Sequence, residues 1–575
     1  MTVRAFAFSG VLVMLAACSS TRSETVGTNT SALNGPDVNL GTGSETSVAV
    51  GPLVGGGQSI VVGWNESNTT PGFPDKVARW SLSVNGGVGW TFRSESADPW
   101  VTTAQRPTMS DGSKYKSTGS DPAVAATGWP GQFIYVTTAT SVNSFKKSGS
   151  PSMDVVMATS MDGGLNFGPF AGNGGRIQVL SDSGSSGNAG SNRAVDRPVV
   201  YAEDPRTHVV WVAWANPDLG GCGTQNWIRR IHFHGANGQA DGTFDMGPIT
   251  EIRIDCNLNC VWFDASNIAA YCDGPHAGLD NCGGQGGGGL ETVLISFPRV
   301  NNGVTGGCWV GGNTMLFVNQ TSCTGQNLDV QWKVAISQNA PTVAPTHWKQ
   351  GVAGSDGSSQ MNEDPFWPQC AVVGAHGINN RSRPVTIHDD VTGQWHVYYT
   401  METFNSPAPN TKSGLRVFHD EFNDNFTSLP FDFEEIQPVT SLPGAPGPCF
   451  ASGQECHVDQ FMPSAAWSAA GANVTTHVVA WYDTRRDPTT PKGAYWWVGS
   501  VMNGNLGTFN SANLTGELDQ AGALAPWSFT GTNGNTPWGD YNGMASDGAG
   551  TFFPAWGDNR NGGTETAVFA RALMP

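Results

Sequence analysis

Ser160-Met161-Asp162-Gly163-Gly164-Leu165-Asn166-Phe167 reads as a strand running into a tight turn. Val155 and Met157 alternate ahead of it, as one face of a strand does. An aspartate at 162 bonds backbone N–H groups just ahead of it, and Gly163-Gly164 supplies the positive φ that such a turn asks for. Phe167 then returns an aromatic ring to the core. Ser83-Val84-Asn85-Gly86-Gly87-Val88-Gly89-Trp90 repeats the pattern with Asn in place of Asp.

The rest of the chain has the composition that such turns need. It holds 575 residues, of which 13% are charged, with 75 Gly, 35 Pro and 21 Trp. No long stretch has helical periodicity, so many short strands joined by tight turns are expected. The length exceeds an ordinary single core and suits a repeat architecture. A net charge of −18 argues against a nucleic-acid partner, which needs a basic face. Beyond the first 18 residues nothing is long and apolar enough to span a bilayer.

A larger unit recurs. An acidic residue or Arg precedes a short apolar strand; a turn leads to a strongly apolar second strand, often ending in Trp or Tyr. A third strand, a Gly-rich turn and a fourth strand follow. The first copy has Glu45 before Ser47–Val50, then Ser59–Trp64; the second has Asp121 before Ala123-Val124, then Phe133–Val136. The third has Asp196-Arg197 before Val199-Val200, then Val209–Trp214. Arg383 before Val385–Ile387 with Trp395–Tyr399, and Asp459 before Met462–Ala466 with His477–Trp481, mark the fifth and sixth. The last has Asp540-Tyr541 before Met544-Ala545, then Thr551–Trp556. A weak fourth copy is assigned to Glu291–Pro298 with Met315–Val318. The period is about 75–80 residues where copies are clear, which predicts a β-propeller of large four-stranded blades. The last unit stops after its third strand (Thr566–Ala572), and Val38-Asn39-Leu40 is the segment available to complete it and remove an open edge.

The two turn sequences resemble the Asp-box, S-x-D-x-G-x-x-W, of sialidases and other BNR-repeat β-propellers. The first copy departs in having Phe for Trp; the second is degenerate. The resemblance implies an all-β, sialidase-like propeller of six or seven four-stranded blades. Seven units are counted here, and six is usual for sialidases. An Asp-box is a folding device, so it bears on the fold more than on catalysis.

In a four-stranded meander, residues before the first strand and after the second emerge on one face, and the Asp-box turns on the other. One face therefore collects Glu45, Asn65, Glu66, Asp121, Asp196, Arg197, Asn216, Arg383, Glu402, Asp459, Asp483, Arg485, Asp540, Tyr541, Asp558 and Arg560. A mixed-charge funnel of this kind suits a polar ligand. Trp481-Tyr482-Asp483-Thr484-Arg485 and Trp556-Gly557-Asp558-Asn559-Arg560 look like the W-x-D-x-R endings of BNR-type propellers. Their Asp and Arg serve either as substrate contacts or as ion pairs between blades. Arg197-Pro198 and Arg383-Pro384 open inner strands, where Arg either grips a carboxylate bidentately or clamps blades.

Asp540-Tyr541-Asn542-Gly543-Met544 resembles the sialidase stretch that carries the nucleophilic tyrosine. A phenol suits an anionic sugar that would repel a carboxylate, with a Glu partner, an Asp acid/base and an arginine cluster. The resemblance implies Tyr541 as nucleophile, Glu402 as its partner and Asp121 as the acid/base. Arg197 and Arg383, with Arg485 or Arg560, then hold the substrate carboxylate. The early Arg-Ile-Pro motif of sialidases is absent. Two functions follow: an exo-glycosidase for sialic acid or another acidic sugar, or a non-catalytic propeller that binds glycans or proteins at a cell surface.

Residues 1–18 read as a targeting segment, with Arg4, the apolar run Ala5–Leu15 and the lipobox-like Leu15-Ala16-Ala17-Cys18. Cys18 is the expected lipidation site. Residues 19–35 are the flexible tether and 36–575 the propeller. The expected location is the cell envelope, as an outer-membrane lipoprotein, or outside the cell. Eleven cysteines less Cys18 leave ten, an even number that fits disulfides. Cys449 with Cys456 and Cys308 with Cys323 are local candidate pairs. Cys256, Cys260, Cys272 and Cys282 crowd a Gly-rich stretch, 256–289, expected as a disulfide-stapled loop insertion; zinc is the competing reading there. His232 and His234 alternate on one strand face and lack a visible third metal ligand. His388-Asp389-Asp390 is read as a turn between the first two strands. No cofactor is expected; calcium (Ca2+) fits the acidity, but no Asp-rich loop has its ligand spacing. The expected partner is a glycan, bound by a monomer.

Overall fold

The computed structural model describes residues 37–66, 77–93, 106–118, 121–141, 154–168, 175–186, 195–203, 205–216, 225–252, 267–273, 290–301, 327–338, 347–352, 385–404, 412–423, 434–435, 460–471, 474–483, 495–502, 505–513, 541–558 and 567–573. Every regular element among them is a β-strand. No helix among them is long and apolar enough to cross a membrane.

The strands form seven antiparallel sheets. Sheet I runs outward through Ser44–Pro52, Gln58–Glu66, Val77–Ser83 and Thr91–Arg93. Sheet II has Ala123–Ala126, Phe133–Ser141, Asp154–Ser160 and Ile177–Val179, with Tyr115–Thr118 sharing the inner edge of Phe133–Ser141. Sheet III has Asp196–Ala202, Val209–Asn216, Gln225–Ala236 and Gln239–Met246. Sheet IV has Asn267–Asp273, Leu290–Asn301, Asn327–Gln338 and His347–Val352. Sheet V has Val385–Asp389, Gln394–Phe404, Lys412–Asn423 and Glu434–Glu435. Sheet VI has Gln460–Gly471, Val474–Asp483, Tyr495–Met502 and Asn505–Asn513.

Sheet VII joins the two ends of the chain. Gly543–Ser546, Phe552–Asp558 and Ala567–Ala570 are completed by Val38–Thr42, with Val38 opposite Ala570 and Asn39 opposite Phe569. The inner strands of the seven sheets neighbour one another in sequence order, and that of sheet VII returns to that of sheet I. The architecture is a β-propeller, and the closing strand is the one the sequence left available.

Apolar faces of successive sheets pack on one another. Trp64, two residues from the end of its strand, lies with Leu40, Val62, Ala555 and Val568, between sheets VII and I. Trp214 occupies the equivalent place between sheets II and III, beside Ala123, Ile134 and Val212. Trp481 does so between sheets V and VI, beside Ile387, Tyr398 and Val417. These rings are buried, and each such side chain contributes about 1.5–3 kcal/mol through burial. The spacing is tight enough that Gly543 has no room for a side chain: a Cβ there would lie 2.8 Å from the Ser47 Cα.

The turn at 160–167 has the geometry that its residues dictate. The Ser160 hydroxyl donates to Asp162 Oδ1 at 2.8 Å and accepts from the Gly164 N–H at 3.0 Å. Asp162 Oδ1 accepts from the Asn166 N–H at 2.9 Å. Gly163 and Gly164 have φ of 78° and 88°. Phe167 is fully buried against Trp80 and Tyr135. The copy in sheet I does the same with Asn85, whose Oδ1 accepts from Ser83 Oγ at 2.8 Å and the Gly89 N–H at 2.7 Å. Both turns join the third and fourth strands of their sheets.

The fourth unit requires correction. Its inner strand is Asn267–Asp273, and Leu290–Asn301 is the second strand rather than the first. Asn267–Asp273 falls within 256–289, so that stretch is not wholly a loop insertion. A run as short as Asn267-Ile268-Ala269-Ala270-Tyr271, followed by a glycine-rich stretch, gives little periodicity to read. Met315–Val318 and residues 1–36, with Cys18, lie outside the described residues. So do all other cysteines except Cys272, whose backbone is part of that inner strand.

Candidate functional site

The inner strands share a detail that gathers the candidate residues. Ser47 pairs with Gly63, Val199 with Ala213, Val385 with Tyr398, Ser464 with Ala480 and Gly543 with Ala555. In each case the next residue of the second strand is aromatic: Trp64, Trp214, Tyr399, Trp481 or Trp556. Ala123 opposite Val136 is the matching pair in sheet II. Two residues before these positions stand Glu45, Asp121, Arg197, Arg383, Met462 and Tyr541. Four of them have left-handed backbone: Glu45 at φ 57°, Asp121 at 60°, Arg197 at 49° and Met462 at 54°. The register slips at the same point in sheets I, III and VI, the signature of a β-bulge. A non-glycine residue in this conformation is uncommon, and a bulge re-aims the side chain it carries. The proline that follows in sheets II, III and VI (Pro122, Pro198, Pro463) supplies no N–H to a ladder the bulge has already broken.

Three of these residues join one buried network. Asn65, at the end of the second strand of sheet I, donates its amide N–H to Glu45 Oε2, and to Asp121 Oδ1 at 3.1 Å. Its carbonyl oxygen accepts from the Asp121 N–H at 2.8 Å. Asp121 Oδ2 accepts from the Arg197 N–H at 3.2 Å, which carries the network from sheet II to sheet III. Glu45, Asn65, Asp121 and Arg197 are all buried. The Arg197 guanidinium lies 3.9 Å from its neighbour Asp196. Glu66 pairs with Arg79 at 2.5 Å within sheet I. Between sheets VII and I, the Thr46 hydroxyl donates to the Ala555 carbonyl at 2.5 Å and accepts from the Gly543 N–H at 2.9 Å. Between sheets VI and VII, the Tyr482 hydroxyl donates to the Gly557 carbonyl at 2.5 Å.

Tyr541 directly precedes Asn542 and the inner strand of sheet VII; it is half-buried, with its hydroxyl oxygen enclosed. Its register position neighbours that of Glu45 in sheet I. Glu402 lies within Gln394–Phe404, opposite Leu415, so its strand continues past it. Asp483 and Asp558 are the last residues of their strands, opposite Gln460 and Ala567. Arg383, Arg485 and Arg560 lie outside the described residues. Asn65 was one name among sixteen in the sequence, yet it holds two carboxylates. No motif marks it; only its pairing with Ser44, one residue before the bulge, could have.

Two histidine clusters lie elsewhere. Asp245, opposite His232 in the register of sheet III, supplies the third group that His232 and His234 lack in the sequence, and its Oδ2 lies 2.9 Å from His234 Nε2. The second cluster is fully buried between sheets V and VI. Asp389 Oδ2 accepts from the Thr475 hydroxyl at 2.6 Å and lies 2.9 Å from His477 Nε2. His477 Nδ1 lies 3.1 Å from the Tyr398 hydroxyl, and His396 Nδ1 lies 2.8 Å from His419 Nε2. Burial raises the Asp389 carboxyl, but hydrogen bonds from His477 and Thr475, the charge of His477 and the Thr392 N–H outweigh it and bring it to about 2. Burial, with the neighbouring His477, takes His419 to about 3 and, with His477, His419 and His388, takes His396 well below the usual imidazole range. Both rings are neutral at neutral pH. The reading of His388-Asp389-Asp390 as a turn holds for Asp390 alone: His388 and Asp389 are ladder-paired residues of the inner strand, opposite Trp395 and Gln394, and the cluster they join was not read.

No family model and no curated protein sequence matches the chain. Among solved structures it is similar to a Trypanosoma rangeli sialidase in complex with sialic acid, with 9% identity and a TM-score of 0.38. That match covers 83% of this chain and 57% of the other, so the chain spans less than two-thirds of that sialidase's length. It is also similar to the GH93 α-L-arabinofuranosidase of Fusarium graminearum with arabinobiose, at 8% identity and a TM-score of 0.36, over 78% and 92% of the two chains. A protein of unknown function from Dyadobacter fermentans matches at 9% identity and a TM-score of 0.34, over 94% and 98%. At such distances these likenesses say nothing of activity or substrate.

Proposed function

We propose that the chain is a glycan-acting propeller whose site lies on the face where the inner strands begin, and that it works there as a sialidase-like exo-glycosidase. One observation carries the reading: a single register position, repeated from sheet to sheet, bears Glu45, Asp121, Arg197 and Tyr541 among the described residues, with Met462 in the same place in sheet VI. On this proposal, residues far apart in sequence serve one ligand, with acids, an arginine and a phenol contributed by successive sheets. In this reading Tyr541 is the nucleophile, and Glu45, at the matching position in the next sheet, stands where a basic partner belongs. Arg197 and Arg383 attract an acidic sugar. The cell-envelope location and the lipid anchor at Cys18 belong to the same proposal.

Two observations favour the second reading, a propeller that binds glycans without cleaving them. Both carboxylate oxygens of Asp121 accept hydrogen bonds within the protein, and the Tyr541 hydroxyl oxygen is enclosed. The deciding experiment incubates the purified chain with a fluorogenic sialoside, beside Tyr541→Phe. Turnover that the variant loses while staying folded supports the glycosidase. No turnover by the wild-type chain removes the sialidase reading, and glycan-array binding then tests the second.

A further inference from the structure

The cluster between sheets V and VI contains an atom that its hydrogen bonds leave unexplained. His396 is fully buried, and its Nε2 has no hydrogen-bond partner among the described residues. A buried polar nitrogen in that state has given up water with nothing in exchange. One atom each from His396, His477 and Asp389 lie within 4.8 Å of one another, and all three residues are buried. Asp389 and His396 come from sheet V and His477 from sheet VI.

We infer that His396, His477 and Asp389 form a binding site for a divalent transition-metal ion of the zinc class, which staples sheet V to sheet VI. Two imidazoles and a carboxylate, without thiolate, are a borderline donor set that suits zinc. Ligation at about 2.0–2.1 Å asks the three atoms to draw together by on the order of 1 Å, within reach of small side-chain rotations.

The surroundings already hold each ligand by its far side, as metal-bound groups require. With His396 Nε2 on the metal, its Nδ1–H donates to His419 Nε2, 2.8 Å away. With His477 Nε2 on the metal, its proton moves to Nδ1 and donates to the Tyr398 oxygen, 3.1 Å away. Asp389 keeps the Thr475 hydroxyl on Oδ2 and the N–H groups of Val391 and Thr392 on Oδ1, at 2.9 and 3.1 Å. The fourth position falls to a water molecule. Asp389 ends its inner strand, whereas Tyr541 and Arg197 stand where theirs begin, so the site is separate from the proposed glycan face and independent of that proposal.

The test uses the chain purified without a histidine tag, stripped with chelator and titrated with Zn2+ alone. The control is His234→Ala with Asp245→Ala, which removes the half-exposed cluster of sheet III that has the same donor types. We expect one equivalent of Zn2+ to bind both wild type and this control, and to raise the unfolding temperature of each. His396→Gln should lose that equivalent. Co2+ substituted into the control protein should show the absorption of a nitrogen and oxygen site without a thiolate charge-transfer band. Loss of binding in the His234/Asp245 variant, a thiolate band, or no binding to wild type would each overturn the inference. If His396→Gln does not fold, the control protein and its Co2+ spectrum still decide.

Discussion

The backbone N–H of Arg197 donates to the side chain of Asp121 at 3.2 Å, although the two residues open the inner strands of different sheets. Asp121 is in turn held by Asn65 of a third. The residues most readily taken for catalysts are thus also the joints between sheets.

This arrangement makes a measurable demand on Asn65. Its amide is the donor shared by two buried carboxylates, and without it Glu45 and Asp121 each lose a hydrogen bond. Asn65→Ala, Asp121→Ala and the double variant form a cycle in urea unfolding. The expected coupling is about 1–3 kcal/mol. Additive single effects would mean that the hydrogen bonds contribute nothing to holding the sheets together.

The turn at Asp162 should obey the chemistry of its acceptor oxygens. Asp162→Ala removes the acceptor for Ser160 and for the Asn166 N–H and should cost about 1–2 kcal/mol. Asp162→Asn should cost much less, because Asn85 performs the same task in sheet I. Equal losses for Ala and Asn in denaturant midpoints would refute this.

Asp154 gives a pH dependence whose sign is fixed. Burial raises its carboxyl above the ordinary value despite hydrogen bonds from Ser181 and Ser110, and Asp111 adds repulsion. A raised acid contributes stability that is complete below its unfolded value and is lost as pH rises through the folded one. Asp154→Asn removes this dependence. The melting temperature of the variant relative to wild type should therefore be more favourable at pH 7 than at pH 4. An unchanged difference would show that Asp154 is not strained by burial.

Much of the architecture was legible because its signals are local. Glycine pairs, the Ser160 and Ser83 turns, and apolar strands with Trp64, Trp214, Trp481 and Trp556 two residues from their ends each declare themselves within about ten residues. The closing strand was legible by subtraction, since Ala567–Ala570 needed a neighbour and Val38–Thr42 had no other. Asn267–Asp273 escaped because a short run of small apolar residues carries no period. The site was less legible. Position before an inner strand predicted that Asp121, Arg197 and Tyr541 would stand at one level of their sheets, but not that one asparagine would bridge Glu45 and Asp121. The cluster of Asp389, His396 and His477 was hidden because its members lie in two repeats and meet only when the sheets stack.

The pairing of Val38–Thr42 with Ala567–Ala570 also sets an order of events. Thr46 and Ala555, hydrogen-bonded across this seam, are separated by 509 positions. While the chain is being synthesised, the earliest strand waits with an unsatisfied edge until the latest one emerges. A ribosome-bound chain is therefore an incomplete ring, open to pairing with another chain at that edge. Moving the chain ends to a surface turn elsewhere, with the present ends joined, would make the last sheet from contiguous sequence. Such a permuted protein should reach its native state faster, with the same sheets, because the longest loop would no longer have to close last.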